Sequence, residues 1–256
     1  MKSIILRISL MTALSTLITI SAPAQQTAKQ NQLALSYNNQ GVSQINDGKY
    51  EAAVDHLNQA IRLQPDFARA YYNLGSAYHF LGQSKNAIVA LKKAIELNPA
   101  YAEAYDQLGV VLTETAEYEK AAAAFENSIN NNPDGAMANY NLGCLYIRLQ
   151  KFESAVTPLE RAVKLQPRNA EARTNLGFAY SRLKRYPAGI AEMQEAVRIQ
   201  PQDVEAQFFL GQLYVLANDK QSALAQGEVL QSLDPNLAKR LHQLIYRDKI
   251  LTVAKQ

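Results

Sequence analysis

Glycine returns every 34 residues along this chain, at Gly41, Gly75, Gly109, Gly143, Gly177 and Gly211, and proline does the same at Pro65, Pro99, Pro133, Pro167, Pro201 and Pro235. The period passes through six units without an insertion or deletion. That excludes a single closed core and requires a stack of like units, each burying its apolar surface on its neighbours.

Other columns keep the same register. Small residues stand twelve positions after each glycine, as Ala53, Ala87, Ala121, Ala155, Gly189 and Ala223. Seven positions later come Ala60, Ala94, Ser128, Ala162 and Ala196, with Leu57, Leu91, Phe125, Leu159 and Met193 between the two columns. Leucine directly precedes five of the glycines, from Leu74 to Leu210. Apolar residues within a unit fall at helical spacing, so each unit reads as two amphipathic helices. The small columns let the paired helices approach while the bulky ones fill the grooves between them. The pairs Asn98-Pro99, Gln166-Pro167 and Asp234-Pro235 stop one helix and start the next.

These columns resemble the tetratricopeptide repeat (TPR) family over residues 34 to 237. The family's bulky position four before the glycine is met by Tyr37, Tyr71 and Tyr105 and then lost to Asn139, Arg173 and Gln207, while its aromatic three after the glycine stands as Tyr78, Tyr146, Tyr180 and Tyr214. The resemblance implies an all-α, right-handed superhelical solenoid of antiparallel helix pairs. Its units would run over 34–67, 68–101, 102–135, 136–169, 170–203 and 204–237, with a capping helix and tail at 238–256. Pro158 falls inside a second helix, where a local bend is expected.

The amino end lies outside the array. Lys2 and Arg7 precede thirteen uncharged residues from Ile8 to Ile20, followed by Ala22-Pro23-Ala24. A basic start, a short apolar run and a small-residue triplet form a secretory signal over 1–24, and the run is short for a membrane span of about 20 residues. The expectation is an exported, periplasmic protein, with secretion or an uncleaved anchor as the alternatives. Residues 25–33 are polar and glutamine-rich, and read as a flexible leader.

Net charge is +3 for the whole chain and falls to +1 without residues 1–24, because Lys2 and Arg7 are the charged residues removed. Neither sign dominates, whereas nucleic-acid binding wants a basic surface. One cysteine, Cys144, excludes a disulfide within the chain. His56, His79 and His242 lie in different units without a paired ligand, so no metal is expected. No phosphate loop or nucleophile elbow is present. The reading is a non-enzyme without cofactor, metal or small-molecule substrate.

In the TPR family the first helix of each unit lines a concave groove, and the resemblance implies that the residue two before the glycine points into it. That column reads Asn39, Asn73, Gln107, Asn141, Asn175 and Phe209. A carboxamide both donates and accepts, so such a row suits the backbone of an extended peptide; the competing reading is that asparagine is simply common there. Tyr72, Tyr140 and Phe208, three before the glycine, are candidate specificity residues, with Phe80, Phe178 and Phe209 extending the aromatic lining. Glu103, Asp106, Glu171 and Glu205 alternate with Arg69, Arg148 and Arg182. The basic clamp with which some TPR cochaperones hold acidic tails is not matched, since Asn38 and Val42 stand at its positions in the first unit.

The last unit inverts its knob and hole, with Gly227 followed by Leu230. Beyond it, Leu237, Ala238, Leu241, Leu244 and Ile245 form one apolar stripe beside Lys239, Arg240, Arg247, Lys249 and Lys255, as a cap with a basic outer face would. The functional expectation is an adaptor that binds a protein or peptide segment in its groove within a cell-envelope assembly, with peripheral envelope association. The alternative is a structural scaffold acting through homo-oligomerisation or its convex face.

Overall fold

Thirteen α-helices and their turns account for the described part of this computed structural model, residues 22–246. The chain forms two compact units, Met1–Pro99 and Ala100–Gln256. In the first, α1 (Ala22–Asn46) pairs with α2 (Tyr50–Leu63), and α3 (Ala68–Phe80) with α4 (Ser84–Leu97). In the second, α5 (Ala102–Glu114) pairs with α6 (Tyr118–Asn131), α7 (Ala136–Arg148) with α8 (Phe152–Leu165), α9 (Ala170–Arg182) with α10 (Tyr186–Ile199) and α11 (Val204–Leu216) with α12 (Lys220–Leu233). The closing helix, α13 (Pro235–Ile245), packs on α11 and α12. Connections of a few residues make the partners in each pair antiparallel.

The glycine column is where the paired helices touch. A Cβ built on Gly41 or Gly75 would lie 2.6 Å from the Cγ of Leu57 or Leu91, and one on Gly109 would lie 2.6 Å from Phe125 Cε1. Gly143 and Gly177 meet Leu159 and Met193 in the same way. These knobs are fully buried, so each glycine is a hole that the knob sixteen residues later fills. Gly211 has Gly227 at that position instead. Its hole is occupied by Leu241 of α13, and the space around Gly227 stays open. The inverted last unit is thus completed by the closing helix, whose Leu241 and Ala238 form a core with Phe208 and Leu230.

Each first helix ends in a left-handed residue seven positions after its glycine, at Gly48, Gly82, Ala116, Gln150, Lys184 and Asn218, with φ between 56° and 74°. The next backbone N–H bonds five residues back, as Lys49 to Gln44, Glu117 to Leu112 and Asp219 to Tyr214, each at 2.8 Å. This is a Schellman stop. Only the first two units place glycine there, so the column is hidden in the sequence.

Where the bulky column is lost, hydrogen bonds replace packing. Arg173 donates to Glu192 at 2.6 Å and to the Pro167 carbonyl at 2.9 Å, and Gln207 donates to the Pro201 carbonyl at 2.9 Å while accepting from Gln226. Ser128, in a column that is alanine in four other units, satisfies its buried hydroxyl on the Ala102 carbonyl at 2.8 Å. A polar ladder also joins successive repeats: Tyr146 donates to Glu126 at 3.2 Å, Tyr180 to Glu160 at 2.5 Å, and Tyr214 accepts from Gln194 at 2.9 Å. Helix α8 runs through the buried Pro158 without a break.

Two expectations need correction. The leader at 25–33 is not irregular but the first half of α1. Its side chains are exposed, so packing does not hold it. Alanine, glutamine and lysine propagate a helix already nucleated at the buried Ala34, because extension costs far less than nucleation. The cap begins at Pro235 rather than 238, where Asp234 accepts from the N–H groups of Asn236 and Leu237 and proline takes the first turn. Of the export-signal reading over 1–24, residues 1–21 lie outside the described residues and Ala22-Pro23-Ala24 open α1; Arg247, Lys249 and Lys255 of the basic tail also lie outside them. Among the described residues no helix is long and apolar enough to cross a membrane.

Candidate functional site

Three positions on each first helix share one face: two before the glycine, one after it and five after it, a spacing of three and four residues. In the first unit the stripe reads Asn39, Val42, Asn46 on α1 and Asn73, Ser76, Phe80 on α3. In the second it reads Gln107, Val110, Glu114 on α5, Asn141, Cys144, Arg148 on α7, Asn175, Phe178, Arg182 on α9 and Phe209, Gln212, Leu216 on α11.

The carboxamides are tied between helices rather than turned outward. Asn73 is only 9 % exposed and donates at 2.8 Å to Oδ1 of Asn38, which is 1 % exposed and itself donates to the exposed Asn39 at 3.4 Å. In the second unit the half-buried Asn141 donates to Asp106 at 3.0 Å. Asn175 donates at 3.3 Å to Tyr140 Oη and to Cys144 Sγ, and the Tyr140 hydroxyl donates to Glu171 at 3.3 Å. The bonds to Asn38, Asp106 and Tyr140 each reach back 35 residues, one repeat plus one position, to the column three before the glycine, and the bond to Cys144 reaches back 31. The row therefore clamps successive first helices together. An amide has two donors and an acceptor, so the half-buried Asn141 and Asn175 keep a carbonyl oxygen for a ligand. Gln107 and Tyr72 are half-buried on the same columns.

Phe208 does not belong to this face. It is 9 % exposed and sits in the core under α13, with the Arg240 guanidinium 5.2 Å from its ring. Its column faces the next repeat, and at the end of the array the closing helix takes that place. Phe178 and Phe209 do share an aromatic surface, with ring centroids 5.9 Å apart, and Phe152 meets Phe178 edge-on at 6.0 Å. The Arg182 guanidinium lies over Phe152 at 4.3 Å and near Phe178 at 5.7 Å. Phe80 is 56 % exposed and stacks on Tyr50 at 4.9 Å. Phe152 was missed from sequence, although its column, nine after the glycine, is aromatic in four units as Tyr50, Tyr118, Phe152 and Tyr186.

A cleft of about 280 Å³ opens beside Asn141, lined by Val110, Thr113, Glu114, Phe125, Cys144, Leu145 and Arg148. Burial pushes the Cys144 thiol above its ordinary pKa, against smaller opposing contributions of the neighbouring Tyr140 hydroxyl and Asn175 amide, so it stays a neutral packing group. Burial likewise raises the Tyr140 phenol, reinforced by Cys144 and Glu171. Asp106 is raised by burial too, with the Asn141 bond pulling the other way. Among the described residues no three His, Cys, Asp or Glu side chains gather to hold a metal.

Family profiles for the TPR repeat match residues 46–82, and profiles for the tetratricopeptide repeat match 68–101, 102–134, 140–204 and 179–238. A search of curated proteins returned no significant match. Among solved structures, YrrB, described as a TPR protein with an unusual peptide-binding site, is 22 % identical with a TM-score of 0.65, over 75 % of this chain and 97 % of its own. Pseudomonas aeruginosa pilF is 18 % identical with a TM-score of 0.70, over 84 % and 98 %. MamA from Desulfovibrio magneticus is 25 % identical with a TM-score of 0.60, over 66 % and 96 %.

Proposed function

Since the chain belongs to the tetratricopeptide repeat family, we propose that it is an exported, non-catalytic adaptor that holds a protein or peptide segment on the face of its first helices, within a cell-envelope assembly. Repeat arrays of this kind work as interaction modules, and YrrB, with the same fold, is described as carrying a peptide-binding site. The observation that carries the reading is the row of amides fixed by the 35-residue clamps, with the half-buried Asn141 and Asn175 beside the paired rings of Phe178 and Phe209. Preorganised polar groups around apolar anchors cost little ordering when a ligand binds. Export rests on Lys2, Arg7, the apolar run at 8–20 and the triplet Ala22-Pro23-Ala24.

A photo-reactive amino acid placed at Phe178, on the face, and at Val229, an exposed position on α12, tests the reading in the native cell. Adducts to a different protein at position 178 alone support it. Adducts between two copies of the chain, or to a partner at 229 alone, favour the scaffold reading instead. An intact Met1 on the protein recovered from the cell removes the cleaved-signal part.

A further inference from the structure

Across α7, α9 and α11 the two edges of this face differ in charge, while on α5 the position of the arginines is held by the exposed Glu114, which lines one cleft with Arg148. Four nearby arginines have a carboxylate at salt-bridge distance: Arg161 with Asp134, Arg173 with Glu192, Arg185 with Glu153 and Arg198 with Glu195, at 2.6 to 3.0 Å. Arg148 and Arg182 are exposed, stand at the same position of successive first helices, and have no carboxylate partner among the described residues. Arg182 is nonetheless held in place by stacking on Phe152. Its guanidinium N–H groups have no hydrogen-bond partner among the described residues, and such a fork takes a carboxylate. The opposite edge carries the exposed Glu171 and Glu205. Glu171 is eleven positions before Arg182, about 16 Å along the helix.

We propose that this part of the face is a subsite for an acidic peptide segment with an aromatic or large aliphatic side chain, which Phe152, Phe178 and Phe209 receive while Arg148 and Arg182 bind the neighbouring carboxylates. Neither feature would select the ligand alone. The three rings supply an anchor surface, partly exposed and rigid, of the kind that carries most of the energy in peptide recognition. The arginines set the sign, and Glu171 and Glu205 repel the same segment from the far edge, which fixes it on the arginine side. The inference rests on the first-helix face being the binding surface.

The test uses fluorescent peptides and the mature chain, read by anisotropy. One probe has a phenylalanine flanked by two aspartates on each side; a second has asparagine for every aspartate, and a third has alanine for the phenylalanine. The aspartate probe is expected to bind about tenfold or more tighter than the asparagine probe, the gap expected for one charge-assisted hydrogen bond. Added salt should narrow the gap. Arg148→Gln or Arg182→Gln should bring the aspartate probe toward the asparagine probe, Arg182→Lys should restore part of the loss, and Phe178→Ala should weaken both. Circular dichroism checks folding; should an Arg182 variant unfold, Arg148→Gln carries the test. Equal affinity for the aspartate and asparagine probes, or no binding of any probe, overturns the subsite. If adducts at position 178 persist in that case, the adaptor reading stands and only the acidic-aromatic preference falls; if they are absent as well, both fall.

Discussion

Alanine introduced at Gly75 and at Gly227 should move stability in opposite directions, although both glycines lie inside helices. In the interior of α12, Gly227 has nothing within 4 Å of a built Cβ. Gly227→Ala therefore collects the helix-propensity gain of about 0.8–1 kcal/mol with no packing cost. At Gly75 the same gain is opposed by a Cβ 2.6 Å from Leu91 Cγ and 2.9 Å from its Cδ2, and Leu91 is fully buried and cannot swing aside. Overpacking costs about 1–3 kcal/mol, so Gly75→Ala should be a net loss of about 1 kcal/mol and the two variants should differ by about 2 kcal/mol. At about 2–4 °C per kcal/mol for a chain of this size, Gly227→Ala should melt a few degrees above the parent and Gly75→Ala a few degrees below. Leu91→Ala supplies the control. Alone it should cost about 2–5 kcal/mol, but combined with Gly75→Ala the added methyl enters the vacated space, so the double variant should be more stable than the sum predicts. Urea unfolding followed by circular dichroism measures all four variants. A stabilising Gly75→Ala, a destabilising Gly227→Ala or strict additivity with Leu91→Ala would refute the knob-and-hole account.

Lys184→Gly relieves a left-handed residue at φ 59° and should stabilise by about 1 kcal/mol, the strain relieved minus the added freedom of the unfolded chain; a loss in urea unfolding would contradict the Schellman assignment. Asn73→Ala should cost about 1–3 kcal/mol because it removes the 2.8 Å donor to the buried Asn38, whereas Asn39→Ala, which removes only a 3.4 Å acceptor on an exposed side chain, should cost less; equal effects would show that the clamp carries no extra stability. Burial and the Glu160 bond push the Tyr180 phenol up to about 12, against about 10 in the unfolded chain. The folded state thus keeps a proton that the unfolded state loses, so this contribution is complete below pH of about 10 and disappears between about 10 and 12. Tyr180→Phe should flatten the parent's loss of urea midpoint over that window, and an unchanged slope would count against the bond. Deleting residues 235–256 opens the Gly211 hole and uncovers Phe208 and Leu230, so the truncated protein should melt lower and aggregate; a monodisperse truncation of equal stability would refute the capping role of α13.

Much of this protein can be read from its columns, because a repeat contacts only its neighbours and each packing rule is written six times. The alternation of Gly75 with Leu91 and of Gly109 with Phe125 determines the helix pairs, and the inversion at Gly227 and Leu230 shows that the last unit must be completed differently. Only the tertiary structure shows that Leu241 completes it, since the hole and its knob lie in different elements. The left-handed column was invisible because Ala116, Gln150, Lys184 and Asn218 adopt by context a conformation that Gly48 and Gly82 adopt by preference. The face was legible as a row of residue types but not as a set of directions. Whether a carboxamide points to a ligand or to its neighbour depends on which partner lies within about 3 Å. The sequence places Asn73, Asn141 and Asn175 in one column, and packing alone supplies Asn38, Asp106 and Tyr140 as their partners. Phe208 was misplaced for the same reason: its side chain follows the rule of its column, but what it meets is set by α13, a helix outside the period.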